Sequence, residues 1–287
     1  MISVIICSVN PTQLQEVSQN ISETIGLPYE LIAVDNRNII RGICSVYNDA
    51  AVEAKYNYLC FVHEDVKFHT KGWGAILFDL LEKSKIGLVG VSGPTYKSAI
   101  PSSWTACKDD FYRTNTIQHF GASQNPLIHT KNPDKNIYSE VAVVDGVFLA
   151  TRKDVFSEFS FDENRLTGFH GYDFDLSMQI RQKYKIVVTH QIFLEHFSAG
   201  NYNHQWLSDT FFLHQKWKKK LPIFIGQKRR HDYKSDYIAA SALLNYMLRM
   251  SFNNILILKY YFLLVTYFFP LNKFSYSLSI LKYLLKK

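Results

Sequence analysis

Residues 58–68 read YLCFVHEDVKF. Tyr58 to Val62 form an apolar run of aromatic and β-branched side chains. Such a run predicts a strand buried on both faces, here over 58–66. The run stops at three consecutive polar residues, His63, Glu64 and Asp65. Imidazole and carboxylate groups are costly to bury unless a cation or a hydrogen-bond partner meets them. A buried strand that ends on them therefore carries chemistry at its tip.

The same arrangement recurs on both sides of this stretch. ISVIIC (2–7) is a nearly continuous apolar run and predicts a first strand. The next segment opens a helix at Pro11, aligns Leu14, Val17, Ile21 and Ile25 on one face, and caps it near Gly26. ELIAVDN (30–36) predicts a second strand and GICSVYNDAAVEAK (42–55) a second helix. GWGAILFDLLEKS (72–84) predicts a third helix and IGLVGVSG (86–93) a fourth strand. This alternation implies an α/β fold with a doubly wound, mostly parallel sheet and right-handed crossovers.

Beyond residue 93 the pattern loosens. Residues 94–137 are rich in Pro, Ser, Asn, Trp and Tyr and predict loops over a site. Residues 139–156 predict strand, turn and the start of a helix. Residues 171–184 predict a helix, 185–198 strands, and 205–220 a helix. The expected division is a catalytic domain over 1–215, with a nucleotide-binding half at 1–93 and an acceptor half at 94–215. A helical extension covers 216–287.

Polar residues gather at the strand ends. The first strand ends in Ser8 and Asn10, the second in Asp35 and Asn36, the third in His63, Glu64 and Asp65; Asp145 follows VAVV. Ligands of open α/β sheets bind at the carboxyl ends of the strands. Asp35 alone serves equally as a turn former or helix cap, but the set points to a bound ligand.

The segments VIICSVNP, ELIAVDN, YNDAA, YNYLCFVHEDVKF, VDGVFLATRKDVF, GFHGYDFDLSMQIR and LEHFS, in this order, resemble the GT-A-fold, family 2 type of nucleotide-sugar glycosyltransferases. The resemblance covers roughly residues 1 to 200. It implies a divalent cation, Mn²⁺ or Mg²⁺, held by Asp65 as the last acid of an Asp-X-Asp-like motif. His63 takes the place of the first acid, and Glu64 faces the ribose. His196, in LEHFS, matches a late metal ligand, and a histidine ligand tilts the preference toward Mn²⁺. Asp173 matches the general base, with Tyr172 where an acid is usual. Asp145 and Gly146 line the donor-sugar pocket, Asp35 and Asn36 contact the nucleoside, and Ser8 and Asn10 meet the nucleotide. Arg41 and Asn48 reach the phosphates or form a plain helix surface. The implied reaction is inverting transfer from a nucleoside-diphosphate sugar to a saccharide or lipid-linked saccharide, in surface polysaccharide synthesis.

Composition bounds the setting. The 287 residues are 47% hydrophobic and carry a net charge of +7. From Lys216 onward there are 14 basic and two acidic side chains, whereas residues 1–215 hold 18 basic and 23 acidic. A basic, aromatic tail behind an acidic body suits an anionic membrane surface, or a helical subdomain that packs on the catalytic domain or in a homo-oligomer. Nucleic acid is not expected, because the basic residues accompany no groove-reading motif. The four scattered cysteines without a CxxC pair, and no basic leader after Met1, predict a cytoplasmic protein, peripheral on the cytoplasmic face of the membrane. Three other readings stay open. One is a sugar nucleotidyltransferase, disfavoured by the lack of a Gly-rich loop after the first strand. Another is an inactive glycosyltransferase-like assembly partner, which His63 and Tyr172 keep in play. The last is a metal hydrolase built on His63, Glu64, Asp65 and His196.

Overall fold

A computed structural model describes residues 1–38, 40–121, 124–226 and 231–268. The strands and helices run β1 (Ile2–Ser8), α1 (Pro11–Thr24), β2 (Tyr29–Asp35), α2 (Ile43–Glu53), β3 (Tyr58–Val62), β4 (Val66–Phe68), α3 (Trp73–Leu81), β5 (Ile86–Gly90), β6 (Ser92–Pro94), β7 (Tyr96–Lys97), β8 (Tyr112–Gln118), β9 (Leu127–Lys131), β10 (Tyr138–Glu140), β11 (Phe148–Arg152), α4 (Lys153–Glu158), α5 (Tyr172–Ile180), β12 (Lys185–Thr189), β13 (Leu194–His196), α6 (His204–Lys216), β14 (Ile223–Phe224), α7 (Tyr233–Arg249) and α8 (Asn254–Thr266). The chain divides into two compact units: residues 1–95 with 112–200, and residues 96–111 with the chain from Asn201 on.

The first unit is built on a seven-stranded sheet in the order β10-β12-β5-β11-β3-β1-β2. β1 runs parallel to β2 and β3, and β5 parallel to β12, as strand–helix alternation requires. β11 enters between β3 and β5 in the antiparallel sense, and β10 closes one edge the same way. A second sheet has the order β4-β13-β8-β6, with β9 on β8. The third strand is therefore shorter than 58–66. It stops at Val62, and the chain turns through 63–65 into the other sheet.

The core follows from the pattern. Val17, Ile21 and Ile25 of α1 are buried against Val4, Ile6, Cys60 and Val62. Trp73, fully buried, stacks on Phe68 at 4.4 Å between ring centroids, and its Nε1 donates to Thr24 Oγ1 at 3.0 Å. Burial of each such side chain contributes about 1.5–3 kcal/mol relative to exposure. α1 ends at Ile25, and Gly26 takes the left-handed conformation just beyond the cap (φ 73°). A Cβ there would meet Gly72 Cα at 2.7 Å.

Three expectations are corrected. Residues 94–137 are not only loops: β8 and β9 lie there, and β8 is the spine of the second sheet. Its apolar signal is faint because Thr114, Asn115 and Thr116 are buried, Thr114 Oγ1 donating to His129 O and Asn115 Nδ2 to the carbonyls of His190 and Ile192 at 3.0 Å each. VAVV (141–144) is buried but is not a strand; it connects β10 to β11, with the Val141 N–H on Ile186 O at 2.9 Å and the Ala142 N–H on Pro94 O at 2.7 Å. The boundary at 215/216 falls at the end of α6, which belongs with the tail. Leu207 of α6 shares a core with Ala240, Leu243, Leu244 and Met247 of α7 and with Ile257, Tyr260 and Leu264 of α8. Side-chain caps start all three helices: Asn203 accepts from Trp206 N, Asp232 from Ser235 N and Asn253 from Leu256 N. In this second unit the Lys97 ammonium is buried beside Ser102 and His214, and burial pushes it down to about 7.

Candidate active site

The tip of β3 lies where the two sheets of the first unit meet. The His63 N–H bonds Val147 O at 3.2 Å, and the Phe197 N–H bonds Asp65 O at 3.0 Å, so residues 63–65 are tied to both sheets. β13 lies between β4 and β8, and its register sets His196 opposite Val66 on one side and Gln118 on the other. This topology brings His63, Asp65 and His196 together: one donor atom from each lies within 4.8 Å of the others. His63 Nδ1 is 3.8 Å from Asp65 Oδ1, and His196 Nε2 is 3.5 Å from Asp65 Oδ2.

Hydrogen bonds behind the rings fix their orientation. Gln118 Nε2 donates to His119 O at 2.8 Å and to Ser198 O at 2.6 Å, which turns Gln118 Oε1 toward His196 Nδ1 at 3.1 Å. His196 Nδ1 then donates to Gln118 Oε1, and Nε2 faces Asp65 Oδ2 at 3.5 Å and Ser198 Oγ at 3.2 Å. Tyr172 lies behind His63 in the same way. Its hydroxyl donates to Gly146 O at 3.1 Å and so accepts from His63 Nε2 at 2.7 Å, leaving the Nδ1 lone pair on the Asp65 side. Burial, then the nearby His196, pushes His63 below the usual imidazole range and keeps it neutral. Burial alone would raise the Asp65 carboxyl. His196, with His63 and Ser198, outweighs it and holds Asp65 well below the usual carboxylate range. One nitrogen from each of two imidazoles and one carboxylate converge, and this donor set fits Mn²⁺ well and Mg²⁺ less well.

Asp173 occupies the first turn of α5 behind Gly171, which takes the left-handed conformation (φ 75°). Its Oδ2 accepts from Gly146 N at 3.0 Å and its Oδ1 from Phe174 N at 2.8 Å. Burial and the charge of Asp145 raise the carboxyl to about 7. Gly146 therefore touches both Asp173 and Tyr172, and a Cβ on it would lie 2.2 Å from the Tyr172 hydroxyl. Asp145 is fixed by its own N–H on Ser92 O at 2.8 Å.

The other expected residues sort into two groups. Glu64 turns back to the end of β1, where it accepts from Ser8 Oγ at 2.6 Å and from the N–H groups of Val9 at 3.1 Å and Asn10 at 3.0 Å. Ser8 and Glu64 are thus brought together at the site. The Asn10 side chain is engaged as the cap of α1, accepting from Thr12 and Gln13 N–H. Asp35 and Asn36 do not join the cluster through any bond. Asp35, half-exposed, is held by Arg37 through Nε at 2.8 Å and a second nitrogen at 2.6 Å, and that bonding lowers it to about 2. Asn36, buried, locks the loop by exchanging two bonds with the Arg41 backbone at 2.9 and 3.0 Å. Arg41 pairs with Asp49, and Asn48 bonds Phe161 O and Glu163. Tyr172, Gln118 and Ser198 are site residues that the sequence reading missed. The His196–Gln118 pairing rests on β8, whose polar sequence hides it, whereas Tyr172 lies one residue before the expected base.

Two recesses adjoin Glu64 and Asp65. One, about 170 Å³, is walled by Cys7 of β1 and Val9 just after it, Ile43 and Tyr47 of α2, His63 and Phe169. The other, about 570 Å³, runs between α1 and β4 and is lined by Gln13, Glu16, Gln19, Glu23, Lys67 and Phe197 among others. Burial, then the charge of Glu64, raises the Cys7 thiol to about 11, so it stands in the wall as a thiol and not as a nucleophile.

A mostly parallel sheet interrupted by one antiparallel strand, with an acid-and-histidine cluster at the strand tips, defines a GT-A fold. Residues 3–220 match the model of the glycosyltransferase-like family, and the chain belongs to that family. Among solved structures it is similar to the crystal structure of GalNAc-T7 with UDP, GalNAc and Mn²⁺, with a TM-score of 0.53 and 12% identity, over 85% of this chain and 50% of that one. The chain thus spans half the length of that structure. It also matches the crystal structure of A197 from STIV at a TM-score of 0.41 and 12% identity, over 68% of this chain and 85% of that one. No curated protein matches the sequence.

Proposed function

We propose that the protein transfers a sugar from a nucleoside-diphosphate sugar to a hydroxyl of a saccharide or lipid-linked saccharide acceptor, by single displacement and with inversion, in surface polysaccharide synthesis. Asp65, His63 and His196 would hold Mn²⁺ or Mg²⁺. When bound, that cation supplies a Lewis acid for the charge that builds on the departing diphosphate. Asp173 takes the acceptor proton as the acceptor oxygen bonds to the anomeric carbon and the bond from that carbon to the phosphate oxygen breaks. A carboxylate raised to about 7 is matched to neutral pH for this role. Asp145 and Gly146 fix the base and flank the sugar. The smaller recess, with Ile43, Tyr47 and Phe169 in its walls, suits the nucleoside, and the larger polar one suits sugar hydroxyls.

The observation that carries this reading is the convergence of His63, Asp65 and His196, each of which places one donor atom within 4.8 Å of the others. Titration calorimetry of UDP, GDP, CMP and dTDP, each with and without Mn²⁺, tests it on the wild type and on Asp65→Ala. Binding of one nucleotide that requires Mn²⁺ and is lost in the variant is the expected result. No binding of any nucleotide under either condition overturns the reading in favour of an inactive assembly partner.

A further inference from the structure

Helix α8 is apolar on two opposite faces. Ile257, Tyr260 and Leu264 pack with Leu243, Leu244 and Met247 of α7 in the core of the second unit. The other face carries Ile255, Leu258 and Phe262, spaced i, i+3, i+7, with exposures of 77, 39 and 57%. Lys259 and Thr266 share that face and are also exposed. A helix lying on a soluble domain normally turns charged and polar residues outward. Adjacent large apolar side chains in a stripe mark an interaction surface.

The charge of the sequence that carries the stripe says what it meets. After Asp236 the remaining 51 residues contain no Asp or Glu, but one Arg and five Lys. Residues 216–220 add KWKKK. No described helix is long and apolar enough to cross a membrane. A self-association through this face would set the Lys259 of two copies against each other between two basic chains, a like-charge juxtaposition that opposes it. An anionic lipid leaflet offers the complementary charge. Its interface accepts Ile, Leu and Phe at the headgroup–acyl boundary and leaves Lys259 among the headgroups. We propose that the Ile255–Leu258–Phe262 face of α8 docks the protein on an anionic bilayer surface, with α8 lying in the plane of the interface.

Vesicle flotation with the full chain tests this, using phosphatidylcholine alone and phosphatidylcholine mixed with phosphatidylglycerol. The wild type is expected to float with the mixed vesicles, to stay behind with pure phosphatidylcholine, and to release as salt rises. The Leu258→Glu/Phe262→Glu double variant is expected to bind at least tenfold more weakly, with an unchanged far-UV circular dichroism spectrum and Tm. Phe262→Trp provides a second readout that needs no loss of fold. Its emission, taken against the wild-type background, should shift to the blue on mixed vesicles and be quenched by brominated lipid. Equal binding of the double variant, or an indole emission from Phe262→Trp that stays at its aqueous position, overturns the proposal. A wild type that binds no vesicle but dissociates from dimer to monomer on the double substitution assigns the face to a second copy and overturns it as well.

Discussion

Gln118 Oε1 lies 3.1 Å from His196 Nδ1 while the amide nitrogen of the same side chain donates to two backbone carbonyls, at 2.8 and 2.6 Å. The amide cannot turn over without losing both. One neutral residue in β8 thereby decides which nitrogen of His196 faces Asp65. Gln118→Leu keeps the size of the side chain and removes the lock. It should weaken Mn²⁺ binding by about 10- to 100-fold, read by calorimetry without nucleotide, and leave the circular dichroism spectrum unchanged.

Tyr172 does the same for His63. Tyr172→Phe removes the hydroxyl that bridges His63 Nε2 and Gly146 O. The ring stays packed against Tyr47 and Phe161, at centroid distances of 6.0 and 5.8 Å, so the fold should lose only about 1 kcal/mol. Mn²⁺ affinity should fall about tenfold. An unchanged affinity would leave Tyr172 a packing residue alone.

Gly146→Ala tests how tightly the base is housed. The added Cβ would sit 2.2 Å from the Tyr172 hydroxyl and 2.5 Å from the ring carbon that bears it. Overpacking of this kind costs about 1–3 kcal/mol. The expected result is a lower Tm and, because Asp173 bonds the same residue, a loss of transfer activity larger than the loss of stability explains.

Asp173 makes a pH prediction with a definite sign. Its carboxyl is raised to about 7 by burial and by Asp145, so it holds a proton below that pH and cannot act as a base. kcat/KM should fall as pH drops through about 7, and Asp173→Asn should abolish activity at every pH. For stability the sign is opposite. The folded state keeps this proton to a higher pH than the unfolded chain does, so the group's contribution declines as pH rises from the ordinary carboxylate range to about 7. Asp173→Asn, which retains an oxygen for the Gly146 N–H, should therefore be more stable than wild type at pH 8. The gain is on the order of 2 kcal/mol after allowance for partial exposure, measured by thermal unfolding at pH 5 and pH 8.

The first 93 residues were open to reading because buried parallel strands are near-continuous apolar runs and their helices carry a 3.6-residue stripe: Ile2–Cys7, Val17/Ile21/Ile25 and Tyr58–Val62 each show one or the other. His63 and Asp65 stood out because polar groups at the end of such a run have no apolar reason to be there, whereas His196 and Asp173 were legible only through the family resemblance. Two things stayed hidden. β8 buries Thr114, Asn115 and Thr116, and a strand whose inward residues are hydroxyls and amides looks like a loop. The destination of a side chain was hidden too: Glu64 points back to Ser8 and the turn after β1, and Asp35 is engaged by Arg37, two residues away in sequence. Hydrogen-bond choices between near and distant partners leave no periodicity to read.

The antiparallel entry of β11 beside β3 has a consequence for how the molecule is made. β3 pairs with β1 early in the sequence, but its other edge waits for Phe148–Arg152. While the chain emerges from the ribosome, an apolar edge therefore stands open, the state in which strands misassociate. The third donor, His196, arrives later still, on a strand that needs both β4 and β8 in place. The cation site is thus among the last features to assemble, and its formation reports that both sheets of the first unit are complete. A nascent or truncated chain that ends before β13 has the tip of β3 but lacks His196 to complete the cluster.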